Sequence, residues 1–157
     1  MSEFNNILIV DDQEDIHNDF VKIFLNNKNS KKSDKLANML FDKEDDNNHT
    51  KLIHIFLNLL KNAIDSLKQK NDERIIEIEI IDNNNQITVK FSDNGIGIED
   101  KNIKKIFNYG FTTKRESHGF RLHSCANMIK EIGGSIKVTC EGMNKDALFL
   151  ISLSKNK

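Results

Sequence analysis

Polar side chains along one helix-like segment have the types and spacing of a ligand-binding wall. At about 100° per residue, these side chains fall on one narrow stripe of a helix, and apolar residues cover most of the remaining circumference. The polar stripe consists of Lys51, His54, Asn58, Lys61, Asn62 and Asp65. We therefore expect a largely buried helix. Because a buried amide without hydrogen bonds costs about 1–3 kcal/mol, the asparagines need partners, which a wet pocket along the stripe would supply.

A second polar group follows a predicted strand. Ile87, Val89 and Phe91 alternate with polar residues over Gln86–Ser92, which is the pattern of a half-buried strand. The chain then continues as Asp-Asn-Gly-Ile-Gly from residue 93 to residue 97. An acidic residue at a strand end, followed by closely spaced glycines, allows a tight turn and close approach of the backbone to a ligand. Taken alone, this pattern is more often a surface turn.

Two further segments follow in order. Residues 106–114 read Ile-Phe-Asn-Tyr-Gly-Phe-Thr-Thr-Lys, and residues 117–126 open a helix that we expect to end near Glu131, before Gly133-Gly134. In this order and spacing, the four segments resemble the ATP-binding domain of sensor histidine kinases, within the GHKL ATPases. The helix around 58–63 resembles the N box, 93–98 the first glycine box, 107–114 the phenylalanine box and 119–122 the second glycine box. The resemblance covers residues 50–153.

The resemblance implies ATP or ADP and Mg²⁺ as ligands. It implies that Asn62 holds Mg²⁺ through its amide oxygen, a ligand type that this hard cation accepts, and that Asn58 supports the metal and the phosphates. Asp93 would accept a hydrogen bond from the exocyclic amine of adenine, while Phe107 and Phe111 would anchor a flexible lid. Residues 119–122 would present amide groups at a helix start, where phosphate is favoured. The nucleotide-binding residues implied are Asn58, Lys61, Asn62, Asp93, Gly95, Gly97, Phe107, Phe111, Thr112, Thr113, Lys114, His118, Gly119, Phe120, Arg121 and Leu122.

This sequence departs from the family pattern at Arg121 and His54. The second glycine box usually has a glycine where Arg121 stands. A side chain there would impair nucleotide binding if it crowds the triphosphate or forbids a positive φ, and this is the interpretation that we favour. The alternative is that its guanidinium hydrogen-bonds phosphate oxygens. His54 stands where the family often has Gln or Glu. We interpret it as a histidine on the helix face near the pocket mouth, with proton transfer as the alternative, and assign no catalytic residue otherwise.

The N-terminal segment differs from a histidine kinase, because it shows no helical pair with a phosphoacceptor histidine. Residues 1–42 instead resemble the opening of a response-regulator receiver, with an apolar strand at Ile7–Val10 and an acidic pair, Asp11-Asp12. The pair is an incomplete metal site or, as we favour, a strand end and helix cap. We interpret residues 43–51 as a linker and 52–157 as the ATP-binding domain. One hypothesis is that Ile7–Val10 occupies a vacant edge of that domain's sheet.

Composition indicates one soluble cytoplasmic domain. With 23 Lys and Arg against 24 Asp and Glu in 157 residues, near neutrality argues against a nucleic-acid or anionic-membrane surface. No apolar stretch approaches the roughly 18 residues of a membrane span, and the polar N-terminus is not a signal peptide. Cys125 and Cys140 lack metal-motif spacing, so we expect free thiols.

Alternating segments predict four strands, at Arg74–Ile81, Gln86–Ser92, Ser135–Glu141 and Ala147–Leu153. Two hairpin-like pairs with helices between them favour an α+β two-layer sandwich, mostly an antiparallel sheet with helices on one face. The resemblance implies the same architecture, the Bergerat-type ATP-binding fold.

Three functions remain open at this point. The first is an ATP-binding kinase-type domain of two-component signalling that delivers phosphate to a histidine in trans, with a dimerisation domain or response regulator as partner. The second is a regulatory module that binds nucleotide or a partner kinase without turnover. The third is a GHKL serine kinase of the anti-sigma type, which the Phe-Thr-Thr-Lys and His-Gly-Phe patterns disfavour.

Overall fold

A computed structural model describes residues 4–10, 46–70, 73–83, 85–113 and 119–155. In chain order the elements are β1 (Phe4–Val10), α1 (Asp46–Leu67), β2 (Ile75–Asn83), β3 (Gln86–Asp93), α2 (Asp100–Ile103), α3 (Arg121–Glu131), β4 (Gly134–Cys140) and β5 (Ala147–Ser154). The remainder of the receiver-like segment, residues 11–42 with the Asp11-Asp12 pair, lies outside the described residues.

The strands form one five-stranded sheet in the order β1-β2-β3-β5-β4. Every neighbouring pair is antiparallel, including the hairpin in which Asn83 pairs with Gln86. The α+β two-layer architecture predicted from the sequence is therefore confirmed, and the strand bounds differ from the predicted ones by only a few residues at either end.

β1 lies at one edge of the sheet, where Ile7 pairs with Ile78 and Val10 with Ile75. This is the edge position that the sequence hypothesis gave to Ile7–Val10. α1 begins at Asp46, so the first turns of the helix overlap the linker predicted for 43–51. The division of the chain at residues 42 and 51 stays a prediction.

The core lies between the sheet and α1 with α3. Alternate residues of the three central strands are buried, and the apolar side of α1 covers them: the largest fully buried side chains are Phe91, Phe149, Ile55, Leu59, Leu60, Ile76, Ile78, Ile87, Ile129, Ile151 and Leu153. β4 is the other edge strand, and its alternate residues are only half-buried. Burial of these apolar faces fixes the polar stripe of α1 at the side of the layer, where it borders the loops after β3 and before α3.

Candidate functional site

A pocket of about 320 Å³ opens beside α1. Its walls come from α1 and the turn that follows it, the segment after β3, α2, the chain before α3, the first residues of α3 and the β4–β5 loop. The lining residues are Asn62, Gln69, Ile96, Gly97, Ile98, Glu99, Asn102, Ile106, Phe111, Thr112, Thr113, Gly119, Arg121, Leu122 and Met143.

The polar stripe of α1 divides between the pocket and the surface. Asn62 lines the pocket, whereas Lys61 and His54 are exposed and lie outside the lining. Asn58 is half-buried and its side chain hydrogen-bonds the Cys125 thiol of α3. Of the two asparagines expected to face one ligand, the structure therefore aims Asn62 at the pocket and gives Asn58 a partner on the neighbouring helix.

Both cysteines are free thiols, as expected. Burial raises the pKa of the Cys125 thiol to about 12, against the smaller opposite effect of its hydrogen bond with Asn58. The thiol is therefore protonated at neutral pH and a poor nucleophile. Cys140 is structural too, because its Sγ accepts a hydrogen bond from the Ile98 amide at 3.2 Å and donates to the Gly142 carbonyl at 3.1 Å.

Asp93 is the one buried charged residue among the described side chains, with 3% of its surface exposed. Its Oδ1 accepts a hydrogen bond from the Gly95 amide at 3.0 Å, and the next amide, that of Ile96, donates to Ser66 Oγ at 3.0 Å. A Cβ at Gly95 would stand 2.0 Å from Ser66 Oγ and 2.6 Å from Asp93 Oδ1. Gly95 therefore allows β3 to end against α1. Asp93 is buried and is not itself a lining residue, but the chain that follows it from Ile96 lines the pocket.

The second glycine of this segment is required for a different reason. Gly97 has φ +72°, and a Cβ there would stand 2.2 Å from the Gly142 carbonyl oxygen. The same segment is tied to the β4–β5 loop by the Asn144 amide, which donates to the Ile96 carbonyl at 2.7 Å. Gly97 thus combines a left-handed backbone with close backbone packing.

We expect Gly97→Ala to destabilise the fold by about 3 kcal/mol or more, since the left-handed conformation alone costs roughly 1–2 kcal/mol and a backbone clash adds to it. Gly133→Ala is a matched control, because Gly133 has φ +75° but nothing within 4 Å of its Cβ position. The free energy of unfolding, measured in urea, should fall by only about 1 kcal/mol in the control. Equal losses would show that the contact with Gly142 does not restrict residue 97.

Aromatic side chains hold the chain before α3. Phe107 packs edge-on against Phe149 of β5, with ring centroids 6.4 Å apart, and its carbonyl oxygen lies 3.0 Å from His123 Nδ1. Phe111 lines the pocket, and Gly119 has φ +67° with its Cβ position 2.5 Å from the Phe111 carbonyl oxygen. Residues 107–113 and Gly119 therefore lie beside the pocket, and the role of Phe107 and Phe111 in holding a lid stays a prediction.

Arg121 is the first residue of α3 and lines the pocket. Its Nη1 donates to Asp65 Oδ2 at 3.1 Å, which joins α3 to α1. Asn144 is the only non-glycine residue with a positive φ in the described part of the chain. Arg121 therefore does not have the positive φ that a glycine at this position of the family pattern would allow.

The pocket brings together about half of the residues that the resemblance implied: Asn62, Gly97, Phe111, Thr112, Thr113, Gly119, Arg121 and Leu122. Asn58, Lys61, Asp93, Gly95, Phe107 and Phe120 are described but lie outside the lining, while Lys114 and His118 fall outside the described residues. The roles given to all of these residues stay predictions.

Sequence reasoning missed several lining residues: Gln69, Ile96, Ile98, Glu99, Asn102, Ile106 and Met143. Gln69 could have been predicted from the sequence, because it continues the spacing of Asn62 and Asp65 one turn further along the stripe. Met143 was not, because its place depends on the antiparallel bridge between it and Gly97, a contact between distant parts of the chain.

Residues 47–156 match the profile of the family described as histidine kinase-, DNA gyrase B- and HSP90-like ATPase. The sensor protein CitS of Bacillus subtilis is 26% identical over 149 residues, which are 90% of this chain and 27% of CitS. The sensor protein CitS of Halalkalibacterium halodurans is 33% identical over 108 residues, 68% of this chain and 20% of the relative.

Among solved structures, the mycobacterial sensor histidine kinase MprB superimposes with a TM-score of 0.59 at 17% identity, covering 68% of this chain and 71% of the MprB chain. The chain spans 27% and 20% of the two CitS relatives. In the described residues no helix is long and apolar enough to cross a membrane. The chain belongs to the histidine kinase-, DNA gyrase B- and HSP90-like ATPase family, and residues 47–156 are an ATP-binding domain of the sensor-kinase type found in two-component signalling.

Proposed function

We propose that this pocket binds ATP with Mg²⁺ and presents the γ-phosphoryl group to a histidine on another domain or chain. The observation that carries the proposal is the convergence, around one pocket, of the Asn62 amide, the glycine segment after the Asp93 carboxylate and the start of α3. Adenine would lie at the Asp93 end, and the phosphates would lie near the first turn of α3, where unpaired amides and the helix dipole favour anions.

Asn62 fits a magnesium ligand. It presents an amide to the pocket from a rigid helix, and Mg²⁺ in nucleotide sites takes few protein oxygens beside phosphates and water. When bound, the ion would neutralise phosphate charge. The residues of this chain would position the nucleotide, and positioning with charge neutralisation is most of what phosphoryl transfer requires of a protein.

The step itself would be a displacement at the γ-phosphorus. An imidazole nitrogen of the acceptor histidine would form the new bond to phosphorus as the bond to the β,γ-bridging oxygen breaks, and ADP would leave. The acceptor would be a histidine-kinase dimerisation domain, from which a response regulator could take the phosphoryl group. The cytoplasm, which supplies ATP, is the compartment that this reaction requires.

Two measurements test the proposal. Titration calorimetry should detect MgATP and MgADP and no comparable binding of MgGTP. Incubation with γ-labelled ATP and a dimerisation domain that carries a phosphoacceptor histidine should label that domain with an acid-labile, base-stable bond. Binding without transfer would support the regulatory module, and an acid-stable label on serine would support the anti-sigma type of kinase. Absence of ATP and ADP binding would reject both kinase functions and leave only a module that binds a partner kinase.

A further inference from the structure

Arg121 brings a positive charge to the pocket wall. Among the described residues that line it, Arg121 is the only cationic side chain and Glu99 the only anionic one. Lys61 is exposed outside the lining. A nucleotide with two or three phosphate groups carries several negative charges, so the position of this guanidinium bears directly on which ligands the pocket accepts.

Asp65 fixes where that charge lies. The ion pair spans the two helices that flank the pocket, at an Nη1–Oδ2 distance of 3.1 Å, and both side chains keep about a third of their surface exposed. Asp65 stands one helical turn after Asn62, so its carboxylate holds the guanidinium beside the proposed metal ligand. Arg121 itself lines the pocket, and 38% of its side-chain surface is exposed.

The Arg121 guanidinium can donate to a phosphate group while it donates to the Asp65 carboxylate. A guanidinium carries five N–H donors in a planar fork, which matches the spacing of phosphate oxygens, and the contact with Asp65 uses Nη1. Arg121 also begins α3, so its head group and the first-turn amides lie at the same end of the helix. Its helical backbone requires no strained φ, which leaves crowding as the alternative to phosphate binding.

We propose that Arg121 binds the phosphate groups of the nucleotide and that Asp65 is the positioning residue that holds its guanidinium in the pocket wall. This inference rests on the proposed nucleotide-binding function and deepens it, because it makes the site selective for nucleoside diphosphates and triphosphates over the nucleoside. The arginine then takes part in binding at a position where the family pattern has glycine.

The test compares Arg121→Gln with Lys130→Gln, each of which removes one positive charge from α3. Lys130 is exposed in the last turn of the helix, away from the pocket. Titration calorimetry should show that Arg121→Gln weakens MgATP binding about 10- to 100-fold, the range for charge-assisted hydrogen bonds. Binding of adenosine should be unchanged in both variants, and Lys130→Gln should bind MgATP like the unaltered protein.

Asp65→Asn gives the readout that distinguishes positioning from a merely structural role. With Arg121 present, we expect Asp65→Asn to weaken MgATP binding, because the guanidinium loses its anchor. With Arg121→Gln present, the same change should strengthen MgATP binding, because it removes a negative charge beside the phosphates. Stronger binding in both backgrounds would overturn the role of Asp65.

Unchanged or stronger MgATP binding by Arg121→Gln would overturn the inference and establish crowding instead. A parallel loss of adenosine and MgATP binding would overturn it too, since the variant would then have damaged the whole pocket. Failure of the proposed function looks different: the unaltered protein would bind neither ATP, ADP nor adenosine, and the inference would fall with it.

Discussion

Asp93→Asn is expected to lower the affinity for MgATP by about 100-fold, or about 2.7 kcal/mol. Asp93 Oδ1 already accepts the Gly95 amide at 3.0 Å. Asparagine has one oxygen, so if that oxygen keeps the Gly95 contact, its NH₂ group replaces the second carboxylate oxygen. A donor would then face the exocyclic amine of adenine, which is itself a donor.

Asp82→Asn is the control for this change. Asp82 is also on a strand, but it pairs with Ile87 at the opposite end of the sheet and forms an ion pair with Lys155. It should alter the free energy of unfolding by no more than about 1 kcal/mol and leave the MgATP affinity unchanged. If Asp93→Asn binds MgATP as well as the control does, the assignment of Asp93 to adenine is wrong.

Asn62→Ala is expected to remove the contribution of magnesium to binding and to reduce phosphoryl transfer by about 100-fold or more, the scale of losing one electrostatic contact to the transferred group. In the unaltered protein, ATP affinity should fall when Mg²⁺ is replaced by EDTA. In the variant, the affinities with Mg²⁺ and with EDTA should be similar. Calorimetry under both conditions, with labelled ATP for transfer, measures the two effects.

Asn58→Ala is the matched comparison, because both residues are half-buried asparagines of α1. The Asn58 side chain hydrogen-bonds Cys125, so its removal should cost about 1 kcal/mol of stability and retain most of the magnesium dependence. Equal loss of magnesium dependence in the two variants would mean that Asn58 also acts at the metal, as the family resemblance implies.

Residues 1–42 can be considered both from their sequence pattern and from the match to a relative. The sequence resembles a receiver opening over residues 1–42, and the described part of it, β1, pairs with β2 of the ATP-binding domain. The match to the Bacillus subtilis CitS covers 90% of the chain, so it reaches upstream of residue 47. The receiver interpretation and the domain division stay predictions, whereas the edge pairing of β1 is a property of the sheet.

Patterns set by local geometry were sufficient for most of the elements, but they did not predict α2 and assigned the first residues of α1 to a linker. The buried side of α1, the alternation in β2, β3 and β5, and the end of α3 before Gly133-Gly134 all follow from periodicity and glycine placement. Burial requires a continuous apolar face, and such a face leaves a period in the sequence that can be read without coordinates. The position of Asn62 beside a pocket was predicted in the same way, from its place on the polar stripe of α1.

Contacts between elements were decided only by the tertiary structure. Asn58 and Asn62 lie on the same stripe, yet one meets Cys125 and the other the pocket, because α3 crosses α1 near Asn58. The pairing of Arg121 with Asp65 and the entry of Met143 beside Gly97 likewise join residues far apart in the chain. The sequence determined which faces of the helices and strands are apolar. Packing decided which polar groups face the pocket, because that depends on how the helices cross, and no local period in the sequence records the crossing.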